Sequence, residues 1–460
     1  MDWAKRPLAF ALDVRHSTRP STGLSSMGHP SMKNLILAAF AALALAAPSA
    51  SAQGITQPGF ELTGTSANPS PFSAYVSLGD GTRVHYDGIA VTHLNVDGAF
   101  IQTLHVFPSF LFAGAIAADP AGDSVLVGES TNGGIYRVEM DGSGATLLAT
   151  LPFNFSAAYE SPGVAYVSAA VCGWSCGNDI FKIDTALATA TPVAHVAGPS
   201  GPVAFSSSGD LYYGTSTDTF PAPTGAGALW KFSAASLATG SLLGDADAEV
   251  LCDGIDLVSS IAVDPVMGDV VIATNLFDGS FNVIADDILL LRPDGTIKDV
   301  VSTSAGAYRS HVELQPERGL GHFRAYQPRG VRLTWLESDQ IHSIQPSRPE
   351  AAVMHNGGGS YSFVVSGAEP GGAMLITFGD SGFHQGRESS YQPSFDFLFH
   401  TGLPINKIRR VGQFLMPCDA SGTATFPFWD GGNLTGTIVF QGIITDEHGA
   451  FTGSSEAAFH

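Results

Sequence analysis

Residues 116–130 read IAADPAGDSVLVGES. A short apolar strand runs into Asp119-Pro120, turns through Gly122-Asp123, and re-emerges as a β-branched strand. Asp-Pro presets the bend, glycine accepts a positive φ, and the following aspartate bonds back to the backbone. Residues 261–275, IAVDPVMGDVVIATN, repeat the pattern, and residues 203–217, VAFSSSGDLYYGTST, repeat it without the proline. A second alternating segment follows each copy, as in IYRVEMDG (135–142), LWKF (229–232) and ILLLRPDG (288–295), with IFKID (180–184) as a further example. Two of these end at Asp-Gly, a strong hairpin signal. A fourth strand, such as ATLLATL (145–151) or TPVAHVA (191–197), completes the unit.

Six such units can be marked, starting near Phe60, Pro108, Phe153, Gly198, Ile255 and Ala305 and ending near Ser347. Their mean spacing of about 48 residues matches four strands with tight turns, the size of a propeller blade. No helix-length amphipathic pattern interrupts them. The expected fold is therefore all-β, a six-bladed β-propeller over 60–347. Radial repetition also protects strand edges that would otherwise aggregate. Residues 348–360 are Pro- and Gly-rich and read as a linker. Residues 361–460 hold further strands without that repeat and read as a small β-sandwich-like domain.

The pattern I-A-x-D-P…G-D-x-V, followed by an alternating strand and Asp-Gly, resembles the NHL-repeat and SMP-30/gluconolactonase-like, TolB-like six-bladed propellers. The C-terminal part resembles β-rich modules that end large secreted bacterial proteins. The SMP-30 resemblance implies a calcium-dependent lactonase or esterase with its metal in the central tunnel. Its ligands would be Glu, Asn or Asp side chains just before innermost strands. The matching places here, Ala113-Gly114-Ala115, Pro199-Ser200-Gly201 and Val258-Ser259-Ser260, offer neither carboxylate nor amide. A hard cation needs six or more oxygens. Glu129 and Asn275 end second strands and remain tunnel-mouth ligand candidates, against a plain reading as solvated strand ends.

Before the repeats stands an address. Lys33, the apolar run Leu35 to Ala47, Pro48 and the small residues Ala50-Ser51-Ala52 follow the order of a secretory signal over 32–52, cleaved before Gln53. Residues 1–31 read as an over-extended N-terminus. The run is too short for an ordinary membrane span. A released or periplasmic protein is expected, and its four cysteines suit that compartment. Cys172 and Cys176 are expected to close a small disulfide ring; Cys252 and Cys418 either pair or stay free.

The chain has 460 residues, and Lys+Arg 21 against Asp+Glu 42 gives a net charge of −21. That balance argues against nucleic acid as a partner and against docking on an anionic membrane. Asp245, Asp247, Glu249 and Asp253 crowd one acidic stretch and are candidate calcium ligands, although the spacing is not an EF-hand and an acidic solvated loop is the favoured reading. His311 and Arg324 belong to the one basic region, the sixth unit, and are candidates for binding a carboxylate or sulfate group. There is no G-x-S-x-G, no H-E-x-x-H and no phosphate-cradling glycine motif. The leading expectation is a secreted binding or scaffolding module whose rim takes a glycan, small ligand or protein. The alternatives are the calcium-dependent hydrolase and a quinone-dependent sugar dehydrogenase.

Overall fold

A computed structural model describes residues 55–57, 59–67, 73–170, 177–265, 267–302, 307–316, 331–337, 340–346, 350–380, 389–391, 399–401, 412–429, 436–444 and 451–459. Five four-stranded antiparallel sheets follow one another over residues 74–106, 113–150, 156–196, 203–255 and 257–302. They are called sheets 1 to 5. Sheet 6 takes three strands from residues 309–346 and its fourth from Phe60–Ala67. Within each sheet the first strand is innermost. The six inner strands are Ala74–Ser77, Ala113–Ala118, Ser156–Ser161, Val203–Phe205, Leu257–Val263 and Arg309–Pro316. Each touches the next, and the last touches the first. That closed cycle makes the chain a six-bladed β-propeller.

The unit boundaries follow the repeat in sheets 2 to 6, but the first does not. Phe60–Ala67 was expected to open the first unit; it is instead the outermost strand of the last sheet. It pairs with Gln340–Pro346 from Phe60 opposite Pro346 to Ala67 opposite Gln340. The physical reason is the edge: without it Gln340–Pro346 would expose a row of unpaired backbone groups. A short strand, Ile55–Thr56, extends sheet 5 in the same way by pairing with Ile297–Ser302.

Middle strands are buried on both faces because a neighbouring sheet covers each face. Ser124–Glu129 is buried at every position, whereas the outer strand Ala145–Thr150 is largely exposed. Apolar clusters fill five of the six sheet-to-sheet contacts. Val84, Tyr86 and Val125 join sheets 1 and 2. Leu126 and Val167 join 2 and 3, Tyr166 and Leu211 join 3 and 4, and Tyr212 and Ile272 join 4 and 5. Ile288, Leu333 and Trp335 join 5 and 6. Among the described residues the sixth contact, between sheets 6 and 1, holds a cluster of Tyr75, Leu336 and Ile341.

The segment read as a linker is partly a strand: Glu350–Gly357 pairs with Ser360–Ser366. With Ala424–Trp429 they form one sheet. Ala373–Asp380, Gly412–Pro417, Gly436–Ile444 and Phe451–Phe459 form a second. Glu350–Gly357, at the edge of the first sheet, lies beside Phe451–Phe459, at the edge of the second. Among the described residues no helix is long and apolar enough to cross a membrane.

Arg309 ties sheets 5 and 6. It is fully buried, and its Nε lies 3.1 Å from both Asp286 Oδ2 and Glu337 Oε2. Its Nη1 donates to the Asp286 carbonyl at 3.0 Å. Removing the cation would leave two buried carboxylates facing one another. Arg309→Met is expected to cost roughly 3–5 kcal/mol, read as a lower urea midpoint for the propeller transition.

Candidate functional site

The acidic stretch does not gather. Asp245 and Asp247 lie in a 3-10 turn, while Glu249 and Asp253 lie on the strand Glu249–Ile255, so what read as one loop is a turn followed by a strand. All four are exposed. Asp245 accepts from Ala197 N–H at 3.2 Å, Asp247 from Gly244 N–H at 2.8 Å, and Glu249 pairs with Lys231 at 2.5 Å. Among the described residues no group of three or more His, Cys, Asp or Glu side chains is placed to hold a metal ion.

The ends of the inner strands are stitched shut. Glu129 is buried rather than solvated, and its two oxygens accept from Asn132 and Gly134 N–H, each at 2.8 Å. Asn275 is buried too. Its Oδ1 accepts from Arg309 N–H at 2.9 Å, and its Nδ2 donates to Ser259 Oγ at 2.6 Å and to the Arg309 carbonyl at 2.9 Å. Asn154, which the sequence reading passed over, stands two residues before an inner strand. Its amide donates to the Glu129 and Leu151 carbonyls and accepts from Ala115 N–H. A Cβ at Gly114 or Gly128 would strike its Oδ1, which is why glycine occupies both positions. Ser200 donates to the Phe153 carbonyl, and Ser168 to that of Gly201. Glu129 is committed to its own turn and the other groups to joining sheets, so the described residues do not fit a calcium ion in the tunnel.

A different set converges where sheets 6 and 1 meet. On Arg83–Tyr86, Val84 and Tyr86 turn toward sheet 2, while Arg83 and His85, with Asp87 just beyond, turn toward sheet 6. They line a cavity of about 310 Å³ with Tyr75, Thr92, Leu94, Gly98 and Phe100 of sheet 1 and Ser66 and Ile341 of sheet 6. Tyr75 donates from its hydroxyl to the His311 carbonyl at 2.9 Å. Behind Arg83, Glu313 accepts from Ser77 N–H at 2.9 Å and from Ser77 Oγ at 2.5 Å, and Gln315 bonds the same hydroxyl. Burial pushes the Glu313 carboxyl up to about 7 despite the Ser77 hydrogen bonds and the charge of Arg83. Burial lowers His85 and His311 to about 4, so both rings are neutral at pH 7.

Of the predicted ligand-binding residues that are described, His311 lies at this seam, and Glu129 and Asn275 do not. It sits at a register shift with φ 51° and packs its ring 5.9 Å from that of Tyr75. Arg324, Cys172 and Cys176 lie outside the described residues. Cys252 and Cys418 are free thiols, both raised by burial. The sequence signal for the seam was the alternation Arg83-x-His85-x-Asp87, three polar side chains on one strand face. It was missed because the first unit repeats poorly.

No family model matches the chain, and no curated protein matches it in sequence. Solved structures do. The chain is similar to β-propellers. A gluconolactonase from Xanthomonas campestris has 15% identity and a TM-score of 0.44, covering 64% of this chain and 98% of that one. TolB from Acinetobacter baumannii has 13% and 0.39, covering 61% and 65%. Virginiamycin B lyase from Staphylococcus aureus has 11% and 0.40, covering 63% and 100%. The likeness is one of fold, and the propeller rests on the closed cycle of inner strands.

The seam has a pH signature. Folded Glu313 keeps its proton to about 7, whereas an unfolded glutamate releases it near 4.5, so this group's contribution is full below about 4.5 and is lost as pH rises to 7. His85 and His311 act oppositely, their contribution being lost as pH falls from 6.5 to about 4. Glu313→Gln removes only the first effect. The variant is expected to gain in melting temperature over the parent between pH 5 and 8, measured by calorimetry at constant ionic strength.

Proposed function

We propose that this protein is a released binding module that holds a small ligand in the cleft between sheets 1 and 6. The observation that carries this reading is the contrast among the sheet contacts. Among the described residues five are filled by apolar clusters, while the sixth combines three clustered apolar residues with a cavity whose lining includes Arg83, His85, Asp87 and Thr92. A few converging polar groups in a partly apolar cavity of this size are characteristic of small-ligand sites. Rigid sheets hold those groups, so little ordering is needed on binding. Release from the cell rests on the signal-like segment 32–52, which lies outside the described residues.

The test fills the cleft. Ligand-observed NMR with a fragment library is expected to give hits that disappear in Thr92→Trp and persist in Asp247→Ala, a substitution on the far acidic turn. Hits that persist in Thr92→Trp place the site elsewhere and overturn the proposal. Chelator-sensitive turnover of a lactone or aryl ester would replace it with the hydrolase reading.

A further inference from the structure

We propose that the cleft takes an amphipathic carboxylate, its single anionic group paired with Arg83 and its apolar body laid against Leu94, Phe100 and Ile341. The inference rests on the binding reading above and adds the chemistry of the ligand.

Arg83 is only 6% exposed, and its Nε has no hydrogen-bond partner. Among the described residues it makes no ion pair. Arg309, also deeply buried, keeps an unpartnered Nη2 but has two carboxylates and a carbonyl about its other nitrogens, which Arg83 lacks. A guanidinium cannot shed its proton to escape burial, and a buried cation without a partner is costly. The cavity wall is where its partner belongs.

The carboxylates nearby do not serve. Glu313 is bound to Ser77 and is largely protonated below about 7. Asp87 stands four residues further along the same strand direction, roughly 13 Å from Arg83 at the usual rise. Its Oδ1 is held by Ile89 and Ala90 N–H, at 2.8 and 2.7 Å. Asp87 also sets selectivity, because a second anionic group at that end would meet a like charge. The ligand therefore carries one negative group.

Pairing registers place the rest. Arg83 lies opposite Leu94, and Leu94 opposite Phe100, so an apolar row starts beside the guanidinium. Phe100 is 65% exposed at the mouth, and Ile341 closes from sheet 6. A planar carboxylate matches the guanidinium fork in two parallel hydrogen bonds. A flat apolar body attached to it would cover Phe100.

The test uses the full chain with 2-naphthoate, its neutral isostere 2-naphthamide, and inorganic sulfate. Titration calorimetry is expected to show naphthoate binding at least tenfold more tightly than naphthamide. In Arg83→Met that preference is expected to vanish. The variant itself should melt no lower than the parent, because an uncompensated cation is gone; a lower melting point would mean that Arg83 already has a partner within the protein, and would overturn the proposal. Equal binding of naphthamide, or naphthoate binding unchanged by Arg83→Met, also overturns it while leaving the cleft reading intact. Sulfate binding as tightly as naphthoate removes the apolar half. If neutral fragments bind in a Thr92→Trp-sensitive way and naphthoate does not, the carboxylate assignment alone fails. If nothing binds in that way, both readings fail.

Discussion

Closure of the ring by Phe60–Ala67 on Gln340–Pro346 is the constraint on which the other contacts depend. Each sheet buries its faces only because neighbours stand on both sides, and that condition holds all the way round only if the last sheet meets the first. At five contacts apolar area drives the stacking. At the sixth the cluster among the described residues is Tyr75, Leu336 and Ile341. There the backbone ladder completes sheet 6, and Tyr75 and Ser77 bond across to His311 and Glu313. Hydrogen bonds thus take over where apolar packing is thin, and that substitution leaves room for a polar cleft.

The same economy explains why the tunnel end and the seam differ. Near the inner strand ends, Asn154, Asn275, Ser200 and Ser259 spend their polar atoms on backbone groups of the neighbouring sheet or its lead-in loop. A side chain so engaged costs a hydrogen bond to redirect. Arg83 is equally buried without such engagement. Arg83 is one of several buried groups with an unpartnered atom, and unlike Arg309 it has no carboxylate paired with it among the described residues.

The repeat was legible because its signal is local. Gly-Asp turns and β-branched strands recur wherever a hairpin recurs, so units near Pro108, Phe153, Gly198, Ile255 and Ala305 fall beside real sheets. Phe60–Ala67 was misassigned because its partner lies some 280 residues away, and pairing at that distance leaves no local trace. The stretch Asp245–Asp253 read as a loop because its charges dominate; yet Val250 and Cys252 pair across to Trp230 and Leu229 in an outer strand, where exposed acids are tolerated. Glu129 ends its second strand and Asn275 lies two residues before the end of its own; both are buried, Glu129 holding its own turn and Asn275 bonding to the next sheet. Arg83 and His85 carried a readable alternation, hidden in the unit least like its siblings.

Those residues also relate the cleft to closure. Arg83, His85 and Phe100 belong to the sheet that is closed upon, whereas Ile341 belongs to the sheet that closes and Ser66 to the very strand that seals it. A molecule seated between them touches both sides of the joint. Opening the joint would take Ser66 and Ile341 away from Arg83 and dismantle the site. Any occupant that binds only the closed ring therefore adds its binding free energy to closure. Among the described residues the contact with the smallest apolar cluster is also the closing one, so a ligand seated there would complete that interface.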